Sequence, residues 1–140
     1  MIIIDTGYLV ALLDRRDHHH ARAKALSTTA DDGWITTWPV VMESVYLLDR
    51  RVGAEYGLAV VDDVARGGLS LWDIPASQAA RMATLMRKYA NLPMDLADAS
   101  LVLLAEHIGH GRILSTDQRD FGTYRWKNRK PFKNLMEPLS

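Results

Sequence analysis

The chain has 140 residues, 48% of them hydrophobic and 24% charged, which fits one globular domain over residues 1–140 and argues against disorder. It contains no cysteine, which excludes disulfides, thiolate nucleophiles and cysteine-ligated metal sites and favours a reducing compartment, the cytoplasm. The net charge is zero, no signal peptide is evident, and the longest apolar run, residues 8–13, is far shorter than the roughly 20 residues of a membrane span.

The first strand is predicted within residues 1–6, which read M-I-I-I-D-T. Three consecutive isoleucines show no alternation, and this is typical of a strand that is buried on both faces of a parallel sheet. A helical pattern begins after Asp5, so we expect Asp5 at the carboxyl end of that strand. Ligands of open α/β sheets bind at this edge, which makes Asp5 the first candidate site residue.

Glu43 is the second candidate, within a helix that is predicted to begin near Pro39. Val40, Glu43 and Leu47 fall on one helical face, so Glu43 stands inside an apolar stripe. A carboxylate there needs a cation or hydrogen-bond donors, whereas a carboxylate at the margin of the stripe reaches solvent. Upstream, the three consecutive histidines at 18–20 point about 100° apart on a helix, which favours a surface helix start over a metal site.

Two further acids open a helix that is predicted near residues 94–105, after helices near 54–65 and 77–91 and a strand near 69–74. Asp95 and Asp98 are three residues apart and can face the same way at that helix start. They are either an N-cap and a first-turn acid that stabilise the helix dipole, or members of a site.

A fourth strand is predicted at residues 112–116, and it repeats the opening pattern because an apolar run ends at an acid, Asp117. Asp120 follows in a predicted turn over 118–124, and residues 135–136 are expected to add an edge strand. Short buried strands that alternate with longer helices indicate a three-layer α/β/α sandwich around a short, mostly parallel central sheet.

Charge is distributed unevenly along the chain. Residues 112–133 carry seven basic and two acidic side chains, although the whole chain is neutral. This segment either brings a polyanion to an acidic site or is a solvated polar tail.

Four carboxylates, those of Asp5, Glu43, Asp98 and Asp117, are thus expected at one crevice. Two carboxylates about 5 Å apart repel by roughly 3 kcal/mol at an effective dielectric constant near 20, so four need a cation. Oxygen ligands without cysteine favour Mg²⁺ or Mn²⁺ over zinc. Such an ion lowers the pKa of a bound water and stabilises the leaving oxygen of a phosphodiester.

In their order along the chain, these motifs resemble those of the PIN-domain ribonucleases, and most closely the VapC-like toxins of toxin–antitoxin pairs. The matching stretches are I-I-I-D-T at 2–6, V-M-E-S at 41–44, D-L-A-D-A-S-L-V at 95–102 and L-S-T-D-Q-R-D-F at 114–121. The resemblance implies a metal-dependent endoribonuclease that is a homodimer and is inhibited by a small antitoxin whose C-terminal segment covers the acidic pocket.

The resemblance also assigns residues. Asp5, Glu43, Asp98 and Asp117 match the family's acidic quartet, which holds Mg²⁺ or Mn²⁺, and Thr6 and Thr116 match its small hydroxyl residues. Asp95 and Asp120 are additional acids, and Asp120 is the alternative to Asp117 as a ligand. Asp117 is favoured because it is expected to end its strand as Asp5 does. The basic segment, and not the resemblance, supplies the candidate RNA-binding residues, Arg119, Arg125, Lys127 and Arg129.

Two other functions compete with this one. A haloacid-dehalogenase-like phosphatase needs a second Asp where this chain has Gly7, and a response-regulator receiver needs a Lys after a late strand, where this chain has Asp117 and Gln118. A PIN-like module that only holds RNA or a protein is the second alternative.

Overall fold

The computed structural model describes residues 1–29 and 32–137, which form seven α-helices, a five-stranded sheet and a two-stranded sheet. The strands are β1 (Ile2–Ile4), β2 (Trp34–Thr37), β3 (Leu69–Trp72), β4 (Arg112–Leu114), β5 (Arg125–Trp126), β6 (Lys130–Pro131) and β7 (Lys133–Asn134). The helices are α1 (Thr6–Leu13), α2 (His20–Leu26), α3 (Trp38–Arg51), α4 (Ala54–Arg66), α5 (Ala79–Lys88), α6 (Leu96–Ile108) and α7 (Gln118–Thr123).

The central sheet has the strand order β3-β2-β1-β4-β7, and all four of its pairings are parallel. The chain moves outward from β1 to β3 and then returns to the other side of β1 with β4. The carboxyl ends of β1 and β4 therefore lie side by side at the point where the strand order reverses. Open α/β sheets bind their ligands at this point.

Helices cover both faces of the sheet, because right-handed crossovers in opposite directions place their helices on opposite sides. The segments from β1 to β3 contain α1 to α4, and the segment from β3 to β4 contains α5 and α6. The three isoleucines of β1 are 0–4% exposed, as a strand between two helical layers must be. This confirms the predicted three-layer α/β fold.

The last third of the chain differs from the prediction in its short elements. Residues 118–123 form α7 and not a turn, β4 ends at Leu114 and not at Asp117, and the edge strand lies at Lys133–Asn134 and not at 135–136. The antiparallel hairpin of β5 and β6 was not predicted. The three histidines were expected at a helix start, and His20 is the first residue of α2, with His19 as its N-cap. Residues 30 and 31 lie outside the described residues.

Within the described residues, no helix is long and apolar enough to cross a bilayer.

Candidate active site

A cavity of about 350 Å³ opens at the carboxyl ends of β1 and β4. Its side walls are provided by α1, α3, α6 and the loop that leads into α7. It is lined by seven acidic residues, Asp5, Asp17, Glu43, Asp95, Asp98, Asp117 and Asp120, and by Thr6, Gly7, Val10, Leu47, Arg51, Pro93 and Thr116. The four carboxylates that the sequence singles out therefore share one cavity, and Arg51 is the one basic residue among those that line it.

Asp5 is buried at the floor of the cavity and caps α1. Its backbone N–H donates to the Leu114 carbonyl at 3.1 Å, which continues the pairing of β1 with β4. One carboxylate oxygen accepts from the Thr6 N–H at 2.8 Å and the other from the Ser115 hydroxyl at 2.7 Å. Burial, with a smaller contribution from the charges of Glu43 and Asp117, raises the pKa of Asp5 to about 6 against the opposing effect of these two hydrogen bonds.

Glu43 reaches the cavity from the second turn of α3. Val40 is buried on the same helical face and Leu47 also lines the cavity, so Glu43 faces the cavity and not the open solvent. Burial raises the pKa of Glu43, and the nearby carboxylate of Asp95 raises it further. The Thr6 hydroxyl opposes that rise, although it is fully buried and forms no hydrogen bond of acceptable geometry with a described residue.

Asp98 lies in the first turn of α6, and Asp95 caps that helix by accepting from the Asp98 N–H at 2.8 Å. The capping alternative from the sequence therefore holds for Asp95, while the side chain of Asp98 faces the cavity. The hydroxyl of the buried Tyr124 donates to Asp98 Oδ2 at 2.9 Å. Burial and the charges of Asp5 and Asp95 raise the pKa of Asp98 to about 8, against the opposing effect of the Tyr124 hydrogen bond.

The position expected for Asp117 was wrong in one respect. Asp117 does not end β4 but follows it by three residues and caps α7, where its Oδ1 accepts from the Asp120 N–H at 3.0 Å. Burial raises the pKa of Asp117, and its charge reaches Asp5. Asp120 is buried and lines the same cavity. The likeness to Asp5 is therefore no longer a reason to prefer Asp117 over Asp120 as a ligand.

Gly7 explains how the β4–α7 loop reaches the start of α1. A Cβ atom at Gly7 would collide with the hydroxyl of Thr116. The absence of a side chain at Gly7 therefore lets Thr116 approach Asp5 and Thr6 closely.

The donor set of the cavity suits a hard divalent cation, because it consists of carboxylates together with the buried Thr6 hydroxyl, which has no hydrogen-bond partner among the described residues. As they stand, however, no group of three acidic or histidine side chains in residues 1–29 and 32–137 is arranged to hold a metal ion. Carboxylates without a counter-charge repel one another, so these side chains would have to move closer together to share a dication. The chemistry of the residues fits such an ion, and their rotamers must adjust to it.

The candidate RNA-binding residues lie at different distances from the cavity. Arg119 pairs with Asp120 at 3.2 Å beside the cavity. Arg125 folds back and donates from Nη1 to the carbonyls of residues 122, 123 and 124, which caps the end of α7. Lys127 and Arg129 are exposed in the hairpin of β5 and β6.

Comparison with known proteins identifies the family. Residues 2–127 match the sequence profile of the PIN domain. The chain is 32% identical over 124 residues to ribonuclease VapC26 of Mycobacterium tuberculosis, and the match covers 89% of this chain and 92% of VapC26. The chain belongs to the PIN-domain family. This confirms the resemblance to VapC-like PIN-domain toxins that the sequence motifs indicate.

A solved structure shares the fold. The chain superposes on VapC20 of Mycobacterium tuberculosis, a toxin that cleaves the sarcin–ricin loop, with a TM-score of 0.79 at 19% identity. The superposition covers 85% of this chain and 92% of VapC20, and thus supports the assignment of the PIN-domain fold over most of the molecule.

Sequence reasoning missed several residues of this PIN-domain cavity. Arg51 ends α3 and Asp17 follows α1, and both line the cavity without a local motif. Tyr124 and Ser115 hold Asp98 and Asp5 through hydrogen bonds that join residues 26 and 110 positions apart. The only local signal for these residues was the presence of a hydroxyl residue beside Asp117, and that signal identified Thr116 and not Ser115.

We expect Tyr124→Phe to raise the pKa of Asp98 further in the metal-free PIN domain, because the lost hydrogen bond favours the charged carboxylate. We also expect the free energy of unfolding to fall by about 1 kcal/mol. An NMR titration of Asp98, with thermal unfolding, measures both. Tyr56→Phe on the exposed side of α4 is the matched control, and an Asp98 pKa that is equal in the two variants would contradict the assigned contact.

Proposed function

We propose that this chain is a metal-dependent endoribonuclease, the toxin of a toxin–antitoxin pair, that hydrolyses RNA phosphodiesters. The observation that carries the proposal is the cavity with seven acids at the reversal of strand order, in a chain of the PIN-domain family whose relative VapC26 is a ribonuclease. The enzyme forms one domain over residues 1–140 and acts in the cytoplasm.

Asp5, Glu43, Asp98 and Asp117 would hold the ion, which is Mg²⁺ or Mn²⁺ because the donors are oxygens and the chain has no cysteine. When bound, the ion supplies positive charge that lowers the pKa of a water and stabilises the charge that develops on the phosphate. Asp120 is the alternative ligand to Asp117, and Asp95 supports Asp98 as its helix cap.

The other residues of the cavity orient this set and receive the substrate. The Thr6 N–H and the Ser115 hydroxyl fix both oxygens of Asp5, while the Tyr124 hydroxyl fixes one oxygen of Asp98. Arg51 provides the positive charge that lines the cavity and is placed to contact a phosphate of the RNA backbone. Thr6 and Thr116 offer hydroxyls beside the same acids.

RNA approaches along the basic hairpin. Arg119 is exposed beside the acidic cavity, where it pairs with Asp120. Lys127 and Arg129 are exposed in the hairpin, which packs near Glu106, eight residues or about 12 Å along α6 from Asp98. The guanidinium of Arg125 caps α7, so it supports the hairpin and its charge adds to the same surface. A polyanion with one phosphate in the cavity therefore has to extend along the molecule for its backbone to reach the hairpin.

We expect the double substitution Lys127→Ala and Arg129→Ala to weaken RNA binding and to lower the slope of log Kd against log salt concentration by about 1.4 units, since each lost contact with single-stranded RNA removes about 0.7. Titration of a labelled RNA at several salt concentrations measures the slope. Lys24→Ala with Arg66→Ala removes the same charge elsewhere and serves as the control. An unchanged slope in the hairpin variant would mean that this segment is an ordinary solvated surface and does not contact RNA.

Cleavage of single-stranded RNA with Mg²⁺, with and without a chelator, tests the proposed activity. We expect cleavage by the wild-type chain, none in the chelator, and none by Asp5→Asn, while Asp49→Asn on the exposed side of α3 keeps activity. Retained RNA binding without cleavage by the wild-type chain would favour the second candidate, a PIN-like binding module.

The proposed partners are a small antitoxin, whose C-terminal segment would cover the acidic cavity, and a second copy of this chain. The homodimer is supported by an apolar face on α3 and α4, where Trp38, Met42 and Leu58 are 48%, 69% and 61% exposed. Monomeric proteins rarely expose such contiguous apolar surface. Sedimentation of the purified chain tests the dimer.

A further inference from the structure

Ser115 sits between two of the acids of the cavity. Its hydroxyl donates to Asp5 Oδ2 at 2.7 Å and accepts from the Asp117 N–H at 3.0 Å. The Asp117 N–H can only donate, so the single hydroxyl proton of Ser115 is directed at Asp5. Ser115 is fully buried, and the position of its backbone therefore sets where both acids stand.

The backbone of Ser115 is held by a side chain from the far end of the chain. Asn134 Nδ2 donates to the Ser115 carbonyl at 2.9 Å, and Asn134 Oδ1 accepts from the Ser115 N–H at 3.2 Å. Asn134 Oδ1 also accepts from the Met136 N–H at 3.0 Å. Asn134 is 8% exposed, so these bonds form away from bulk water, where an unpaired peptide group is costly.

The hydrogen bonds between the Asn134 side chain and the Ser115 backbone lie just beyond the end of the pairing between β4 and β7. β7 pairs with β4 only at Arg112 with Lys133 and at Ile113 with Asn134, and the Leu135 N–H makes the last backbone bond, to the Ile113 carbonyl at 2.8 Å. Beyond that point the side-chain amide of Asn134 pairs with the Ser115 N–H and carbonyl, as a further backbone residue of β7 would do. Only a side chain with one donor and one acceptor on the same short amide can pair with both groups of a peptide in this way.

We propose that Asn134 is a positioning residue of the active site, which fixes Asp5 and Asp117 through Ser115. The inference rests on the proposed nuclease function. Asn134 lies outside residues 2–127, the part of the chain that matches the family profile, so the contact belongs to the C-terminal segment of this chain. Asn134 does not line the cavity and acts on the reaction only through Ser115.

Its removal has two separable effects. Unpaired peptide groups at Ser115 lower the free energy of unfolding, as any lost buried contact does. A displaced Ser115 also changes the orientation of Asp5 and Asp117. Loss of a group that orients a metal ligand typically lowers activity or metal affinity by about 10-fold to 100-fold. The second effect is specific to a positioning role.

The experiment compares Asn134→Ala with Met136→Ala, which loses buried packing in the same segment without touching Ser115. We expect Asn134→Ala to lower kcat for RNA cleavage by about 10-fold to 100-fold, with the KM for RNA within about twofold of wild type. Met136→Ala keeps wild-type kcat. Asn134→Ser, which keeps a small hydroxyl that can pair with one of the two peptide groups and adds no charge, gives an intermediate kcat and serves if Asn134→Ala does not fold.

A double-mutant cycle with Ser115→Ala identifies the route of the effect. If Asn134 acts through Ser115, the double variant has the kcat of Ser115→Ala alone. Multiplicative losses, or wild-type kcat in Asn134→Ala, would overturn the proposal while the nuclease function stands.

Calorimetric titration with Mn²⁺ provides a measurement that does not depend on cleavage. We expect Mn²⁺ affinity to fall by about 10-fold in Asn134→Ala and to be unchanged in Met136→Ala. If the wild-type chain does not cleave RNA, the proposed function fails, and the Mn²⁺ affinities alone decide the role of Asn134. Equal affinity in Asn134→Ala and wild type, or no binding by wild type, would then rule it out.

Discussion

Asp98→Asn is expected to reduce RNA cleavage by at least about 100-fold and to leave the fold intact. The side chain stands in the first turn of α6, with its carboxylate held by Tyr124 at 2.9 Å. Burial and the charges of Asp5 and Asp95 raise its pKa to about 8, so at pH 7 the metal-free carboxyl is mostly protonated. Asparagine has nearly the shape of that neutral acid, so the substitution keeps the packing and removes only the charge that an ion requires.

Turnover of a labelled RNA, followed together with circular dichroism and thermal unfolding, measures both parts of this expectation. The matched control is Asp49→Asn, which makes the same chemical change on an exposed turn of α3. A variant at Asp98 that is folded and retains wild-type turnover would remove this residue from the site.

The second large effect is on stability. We expect the metal-free chain to lose stability as the pH rises from about 4 to about 8. The pKa of Asp5 is raised from 3.8 to about 6 and that of Asp98 from 3.8 to about 8, mainly by burial. A raised pKa in the folded state means that folding favours the protonated acid. This contribution is complete below the unfolded value of 3.8 and is lost as the pH passes through each folded value.

The size of the effect follows from the shift. For the fully buried Asp5, a rise of about two pKa units corresponds to roughly 3 kcal/mol of unfolding free energy, since one unit is about 1.4 kcal/mol. Thermal unfolding in a chelator over this pH range measures the loss. Millimolar Mg²⁺ is expected to raise the Tm more at pH 8 than at pH 5, because the ion binds the charged carboxylates and must displace their protons at lower pH.

The variant Asp98→Asn also tests this expectation. We expect its stability to change less between about pH 6 and pH 8 than that of the wild-type chain, and its Tm to respond less to Mg²⁺. A Tm at pH 8 that does not respond to Mg²⁺ or Mn²⁺ would argue against a metal site in this cavity.

The sequence predicts the parts of this fold whose signal is local and strong. The isoleucines of β1 and the nearly all-apolar face of α6 specify buried elements with little help from distant residues. The elements that were missed, α7, β5 and β6, and the strand β7, which was predicted two residues too late, have two to six residues each. Such short segments are stabilised by tertiary contacts, for example the bond from the Lys127 N–H to the Glu106 carboxylate, and local propensity is too weak to predict them.

The site residues likewise fall into those with a local sequence signal and those without one. Asp5 was expected at the cavity because it follows a buried strand, and Glu43 because a charge inside an apolar stripe is unusual. Ser115, Tyr124 and Asn134 carry no such signal. Their importance lies in side-chain bonds across 19 to 110 positions of sequence, and only three-dimensional coordinates can reveal those contacts.

The helix α3 carries two different surfaces on one rigid rod of 14 residues. Trp38, Met42 and Tyr46 recur at every fourth position and are 48%, 69% and 57% exposed, while Glu43 and Leu47 line the acidic cavity from the same helix. A molecule that binds the outer surface therefore contacts the same helix that carries Glu43 into the cavity. If the chain assembles through that outer surface, we expect the specific activity of a preparation to vary with its dilution.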